Sequence, residues 1–344
     1  MDGEVRVILG RPRAASERTL HRLRFPAHWR AEPVGNPEEA TLEAATIAWL
    51  ATHGMGLTAT EREKLRKFEC GKYGGYSLPK APLAEALLVT EFISLWLFWD
   101  DVEVEDHTGW NVGDVVAALV TGDARDKGRY VAAWADLGRR LGETRSAAFI
   151  ARLAASMQEW LENAKRETGL ALRLRDAAEW PELRGAFECR TVSIGMYPTF
   201  YLIEHAEGFE LPTSFHEHPL VHSLKCTASR LVGMGNELGG VARDIHHGWL
   251  NVVLVFAHTS SLRIEDAFAR VVELHNQEVL EFDRTAARLP SFGPELDPLV
   301  LRWVTAVRYS VYGFALWESR AERYQEYTAL AGGRALLAPL DAAL

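Results

Sequence analysis

The chain has 344 residues and a mass of 38.4 kDa; 48% of its residues are hydrophobic, 25% charged and 10% aromatic. That balance fits a folded globular protein with a sizeable core and excludes a disordered, collagen-like or disulfide-stapled chain. A net charge of −9 and a pI near 5.8 leave no basic footprint for a phosphate backbone, so no nucleic-acid partner is expected, and an anionic ligand would need local cations or bridging metals.

Residues 1–35 read as an N-terminal segment in which a short apolar patch from Val5 to Leu9 precedes an arginine-rich stretch. The patch is too short for the core of a signal peptide, so a cytoplasmic protein is expected. Further on, apolar residues recur at helical spacing while alternating β-type runs are scarce, which predicts an all-α fold. The spacing predicts helices over 39–52, 60–68, 82–101, 112–120 and 127–141. Longer ones follow over 146–173, 180–207, 219–249, 263–289 and 297–330. Gly, Pro or Asn-rich breaks separate them, and their lengths suit a bundle. With no internal repeat and no Ser/Gly linker, a single domain over 36–335 and a tail over 336–344 are predicted. No uncharged apolar run reaches the roughly 18 residues of a membrane span. Three widely spaced cysteines, Cys70, Cys189 and Cys226, form neither a disulfide framework nor a metal knuckle.

The helix over 82–101 is apolar almost all round until Asp100 and Asp101, so it belongs inside the bundle. Two adjacent carboxylates at the end of so apolar a helix repel each other and resist desolvation unless cations neutralise them. Asp101 and Glu105 share one helical face, with Asp100 beside it, and such an oxygen-rich group suits a hard divalent ion. In the helix over 219–249, Asn236, Gly240 and Asp244 follow at i, i+4, i+8 and form a stripe. Asn236 and Asp244 offer oxygen ligands there, Gly240 leaves room for a water or an ion, and Arg243 stands beside them to meet an anion. The bland readings of these groups are a solvated acidic helix end and a glycine-softened helix with ordinary polar residues.

Two other motifs carry less. His216, Glu217, His218 and His222 form a nominal zinc set, but Pro219 interrupts its spacing, and the segment reads as a solvated loop opening a helix. Tyr73-Gly74-Gly75-Tyr76 lacks the strand before it and the Lys-Ser/Thr after it that a nucleotide loop requires.

The acidic cluster resembles the DDxxxE variant of the aspartate-rich motif of bacterial class I terpene synthases, carried by Asp100, Asp101 and Glu105. Asn236, Gly240 and Asp244 resemble that family's second metal motif, NDxxSxxxE, with Arg243 as the basic residue before its end. Arg190, 46 residues before Asn236, resembles the diphosphate sensor, with Ser193 and Ile194 at the linker and helix-break effector positions. Arg323-Tyr324 is similar to the family's C-terminal Arg-Tyr pair. The resemblance spans roughly residues 40–330, with departures. Gly240 stands for the usual Ser or Thr, Asp244 for Glu and Glu237 for Asp, while Ser193 and Ile194 stand where Asp and Gly are commoner.

The resemblance implies an all-α class I terpenoid-synthase bundle around a central apolar cavity. It also implies a cyclase that ionises a linear prenyl diphosphate, farnesyl diphosphate being favoured and geranylgeranyl diphosphate the main rival. Three Mg2+ ions would lie between the two motifs, Arg190, Arg243, Arg323 and Tyr324 would bind the diphosphate, and a homodimer is possible. Helical spacing puts Phe92 and Trp96 below Asp100, and family positions add Leu97 and Trp317 to the pocket lining. Two alternatives stand beside this reading. A trans-prenyl diphosphate synthase would carry a second DDxxD where this chain has Asn236 to Asp244, and a helical scaffold would leave its acidic clusters merely solvated.

Overall fold

The computed structural model describes residues 22–101, 111–124 and 127–324. The described residues fold as α-helices with one short 3-10 turn, Ala27–Trp29, in the N-terminal segment. In chain order the helices are α1 (Glu39–Thr52), α2 (Ala59–Phe68), α3 (Cys70–Ser77), α4 (Leu83–Trp99), α5 (Val112–Thr121), α6 (Arg129–Gly142) and α7 (Ala147–Ala177). They continue as α8 (Leu183–Ser193), α9 (Met196–Ala206), α10 (Thr213–His216), α11 (Pro219–His247), α12 (Val252–Thr259), α13 (Ile264–Ala286) and α14 (Asp297–Arg320).

Local chemistry sets many of the ends. Thr58 and Glu61 close a capping box on α2, and the Ser146 hydroxyl accepts the Phe149 amide at the start of α7. Pro219 opens α11 behind a cap from His218, and Gly248 closes it in the left-handed conformation.

Two apolar clusters hold the bundle. One gathers Phe92, Leu95, Phe98, Trp134, Leu153 and Trp160 from α4, α6 and α7, and the other Phe200, Leu231, Val271, Phe282 and Val307 from α9, α11, α13 and α14. The segment before α1 belongs to the second cluster: Phe25 and Trp29 are buried, and Asn276 pins it by bonding the Arg24 amide and the Arg22 carbonyl. Among the described residues no helix is long and apolar enough to cross a membrane.

Three features differ from the sequence-based expectation. The helix predicted over 180–207 starts at Leu183 and is interrupted at Ile194-Gly195, where Gly195 takes φ +84° and separates α8 from α9. Helices α3 and α12 were not anticipated. In α3, Gly71 and Gly74 let the backbone press against Glu39 and Thr90, so packing overrides the weak helix propensity of glycine. His216 lies on α10 and not on a solvated loop: it is 8% exposed and packs between Glu204 (3.0 Å) and Lys225 (2.7 Å). Burial lowers the proton affinity of His216 and brings Lys225 down to about 8.

Candidate active site

Helix α4 carries Trp96 and Leu97 through the bundle and loosens into a π-type turn at Asp100 and Asp101. Asp100 opens onto a cavity of about 260 Å³ whose other walls come from α7, α8, α9, α11 and α14. Its polar end holds Asp100, Arg190, Asn236, Asp244, Arg323 and Tyr324. Its apolar depth is lined by Ile93, Trp96, Leu97, Ile194, Phe314 and Trp317.

Most residues singled out from sequence converge here. Asp101 receives Arg323 Nη2 at 2.9 Å. Arg190 donates to Asn236 Oδ1 at 2.5 Å, stands 2.7 Å from Glu237 and lies 3.4 Å from Glu167. The nitrogen of the same Asn236 amide donates to Glu318 at 3.1 Å and to the Tyr324 hydroxyl at 3.0 Å. Arg243 bonds Asp244 at 3.2 Å and lies over the rings of Trp249 and Tyr324. Ser193 and Ile194 sit at the end of α8, where the Ser193 carbonyl accepts the Trp160 indole N–H at 2.7 Å. Trp317 is fixed by its own indole bond to the Phe68 carbonyl, also 2.7 Å long.

Three assignments fall differently. Gly240 is buried outside the cavity lining, and a Cβ there would meet the Asp244 carboxylate at 3.2 Å. Phe92 is not beside Trp96 on the cavity wall: fully buried, it packs edge-on against Trp134 at 4.7 Å, because the apolar α4 is covered on all sides. Glu105 lies outside the described residues.

The electrostatics are those of a crowded acidic mouth. Desolvation, then the neighbouring charges of Asp101 and Glu167, push Asp100 up to about 7. Burial raises Glu237 to about 7 against the pull of Arg190, and takes Glu318 to about 8. Burial works against the charge of Arg190, but Glu167, Glu237 and Asp244 outweigh it and its proton is held more tightly. The donor set is hard oxygen, from carboxylates on α4 and an amide and a carboxylate on α11, which fits magnesium-type ions. Among the described residues no three His, Cys, Asp or Glu side chains already surround one point as a closed ion cage. This is expected of an open site that completes its coordination with water and phosphate oxygens.

Sequence reasoning missed several participants. Glu318 reaches Asn236 from α14, and Asn251, 1% exposed, donates to both Asp244 Oδ2 (2.8 Å) and the Glu237 carbonyl (2.9 Å). Tyr73 stacks on Phe314 at 5.1 Å and lines the same wall. Gly195 backs the wall: a Cβ there would fall within the Trp96 indole. Only Gly195 left a local signal, a glycine amid an apolar helical run.

A family model described as terpene synthase family 2, C-terminal metal binding, matches residues 91–281, more than half of the chain. The chain is 26% identical over 299 residues to a (+)-T-muurolol synthase, (2E,6E)-farnesyl diphosphate cyclizing, of Roseiflexus castenholzii, covering 84% of this chain and 90% of that protein. It is 24% identical over 303 residues to a sesquiterpene synthase of Cyclocybe aegerita, covering 84% of each. Its fold matches the crystal structure of a linalool/nerolidol synthase from Streptomyces clavuligerus with a TM-score of 0.72 at 21% identity, covering 84% of this chain and 99% of that one.

Proposed function

Because the chain belongs to terpene synthase family 2, a lyase family that uses a divalent metal to release diphosphate from a prenyl diphosphate, we propose that it cyclises farnesyl diphosphate to a sesquiterpene hydrocarbon or alcohol. The farnesyl chain length is supported by relatives named for that substrate, including the (+)-T-muurolol synthase and a (−)-β-caryophyllene synthase. The observation that carries the site assignment is the single cavity lined by Asp100 at the end of α4, by Asn236 and Asp244 on α11, by Arg190, Arg243 and Arg323, and by the apolar Trp96, Leu97 and Trp317.

In this reading Asp100 and Asp101 at the end of α4 and Asn236 and Asp244 on α11 would hold three magnesium ions. Bound there, the ions supply the positive charge that stabilises a departing diphosphate. The protein's own part is to orient and to shield. Arg190, Arg243 and Arg323 donate charge-assisted hydrogen bonds to the diphosphate, and Tyr324 adds its hydroxyl. Ser193 and Ile194, at the break between α8 and α9, tie the position of Arg190 to the cavity wall. Trp96, Leu97 and Trp317 exclude water from the allylic cation, and the indole rings face it with attraction of roughly 0.5–2 kcal/mol each.

The test is incubation with Mg2+ and geranyl, farnesyl and geranylgeranyl diphosphate, with gas chromatography of the extract. A C15 terpene from farnesyl diphosphate, abolished by Asp100→Ala, is the expected result. A longer diphosphate, or no turnover of any of the three, would overturn the assignment, and a C20 product would move it to geranylgeranyl diphosphate.

A further inference from the structure

Gly235 and Gly239 stand in the middle of α11, where glycine weakens a helix. Their bare faces meet α14: a Cβ on Gly235 would lie 3.1 Å from Glu318 Oε2, and one on Gly239 would lie 3.7 Å from Glu318 Cβ. The two glycines thus admit the Glu318 side chain, 6% exposed, against the backbone of α11. There Glu318 Oε1 accepts a hydrogen bond from Asn236 Nδ2 at 3.1 Å, and the Tyr324 hydroxyl accepts from the same nitrogen at 3.0 Å. On the other side of the amide, Arg190 donates to Oδ1 at 2.5 Å.

The oxygen and nitrogen of a side-chain amide occupy nearly the same space, so neighbours decide which end faces where. A guanidinium only donates, and Glu318 Oε1 accepts whether or not Oε2 carries a proton. A flipped Asn236 would set Nδ2 against the Arg190 donor and leave Glu318 without its hydrogen bond. When Arg190 turns to a diphosphate it releases Oδ1, and one of the two constraints disappears. Tyr324 cannot replace it, since a hydroxyl donates as readily as it accepts. Glu318, seated against α11 by the two glycines, then still engages the amide nitrogen from α14 at 3.1 Å.

We infer that Glu318 is a positioning residue for Asn236: by engaging the amide nitrogen from α14 it turns Oδ1 toward the cavity, where that oxygen serves as a metal ligand. The inference rests on the metal-binding role proposed above for Asn236. Partners that orient a metal ligand in this way usually contribute about 10–100-fold to metal affinity.

The experiment is Mn2+ titration at fixed inorganic diphosphate with and without protein, the free-ion electron paramagnetic resonance signal lost to diphosphate alone being subtracted, with near-ultraviolet circular dichroism as a check on folding. It compares the parent with Glu318→Gln, Glu318→Leu and Asn236→Ala. Glu318→Leu is expected to weaken Mn2+ binding about 10-fold or more. Glu318→Gln, nearly isosteric and still offering Oε1 as an acceptor, is expected to stay close to the parent. Parent-like affinity in Glu318→Leu, alongside weakened binding in Asn236→Ala, would overturn the inference and spare the site. A loss in Glu318→Gln as large as that in Glu318→Leu would also overturn it, because the charge itself would then be what matters. An Asn236→Ala variant, or a parent, showing no involvement in Mn2+ uptake would refute the underlying metal assignment instead.

Discussion

Replacing Gly195 by alanine tests the packing that shapes the cavity. Gly195 holds φ at +84°, a conformation that costs an L-residue about 1–2 kcal/mol. The added methyl also lands within the Trp96 indole. That ring cannot move freely, since it is 7% exposed and lies tilted against Trp160 at 3.9 Å between centroids. Overpacking of this kind adds about 1–3 kcal/mol, so Gly195→Ala should destabilise the fold by about 2–5 kcal/mol in all. Unfolding entropy is about 2.1 cal/mol/K per residue, or roughly 0.7 kcal/mol/K for this chain of 344 residues, so Tm should fall by about 3–7 °C. The assay is thermal denaturation as a double-mutant cycle with Trp96→Leu, which removes the overlap and leaves only the backbone cost. A coupling of about 1–3 kcal/mol is expected. An equal cost of Gly195→Ala in both backgrounds would refute the placement of the indole against the helix break.

Two further outcomes follow from buried ionisable groups outside the cavity. His275 is fully buried beside Phe25, and burial lowers it to about 4 from an ordinary 6.5. The unfolded chain therefore binds this proton first, and stability is lost as pH falls from 6.5 toward 4, by roughly 3 kcal/mol at most. His275→Leu should flatten that part of the acid limb in denaturant titrations; an unchanged limb would contradict the neutral buried ring. Glu91, 3% exposed, pairs with Arg140 at 2.5 Å, which works against the burial that pushes its carboxyl up to about 7. Arg140→Met strands that carboxyl and should destabilise the fold by about 3 kcal/mol, with partial recovery on adding Glu91→Gln. Urea unfolding of the single and double variants would show no recovery if the pair does not form.

What the sequence made legible was whatever repeats locally. The apolar period of residues 39–52 reproduces α1, and the sudden arrival of acidic residues after an apolar helix puts Asp100 on the cavity lining. The division of 180–207 was hidden from the apolar pattern, which Ile194, Met196 and Phe200 carry across the break, and only the resemblance, by putting Ile194 at the helix-break position, pointed to it. Helix α3 was hidden for the opposite reason: its glycines read as a loop until the neighbouring helices are present to use the space. Phe92 and Trp96 lie a helical turn apart, yet only Trp96 reaches the hollow, since a helix buried all round gives no cue to which wall is empty. Glu318 and Asn251 meet their partners only after the chain has folded back, Glu318 across 82 residues, and no spacing rule reports such a meeting.

The contact between Arg190 and Asn236 has a consequence for how ligands enter. In the resting chain the guanidinium stands proxy for the ion that Asn236 is proposed to bind, and the amide stands proxy for the anion that Arg190 is proposed to bind. An anion that draws Arg190 away uncovers the amide oxygen for the ion, and an ion that claims the oxygen removes one of the contacts that hold Arg190, leaving those to Glu237 and Glu167. Each arrival strengthens the binding of the other, and thermodynamic reciprocity makes the two gains in affinity equal in size. A pocket wired this way meets either guest alone with an arrangement already content with itself, and yields when both come together.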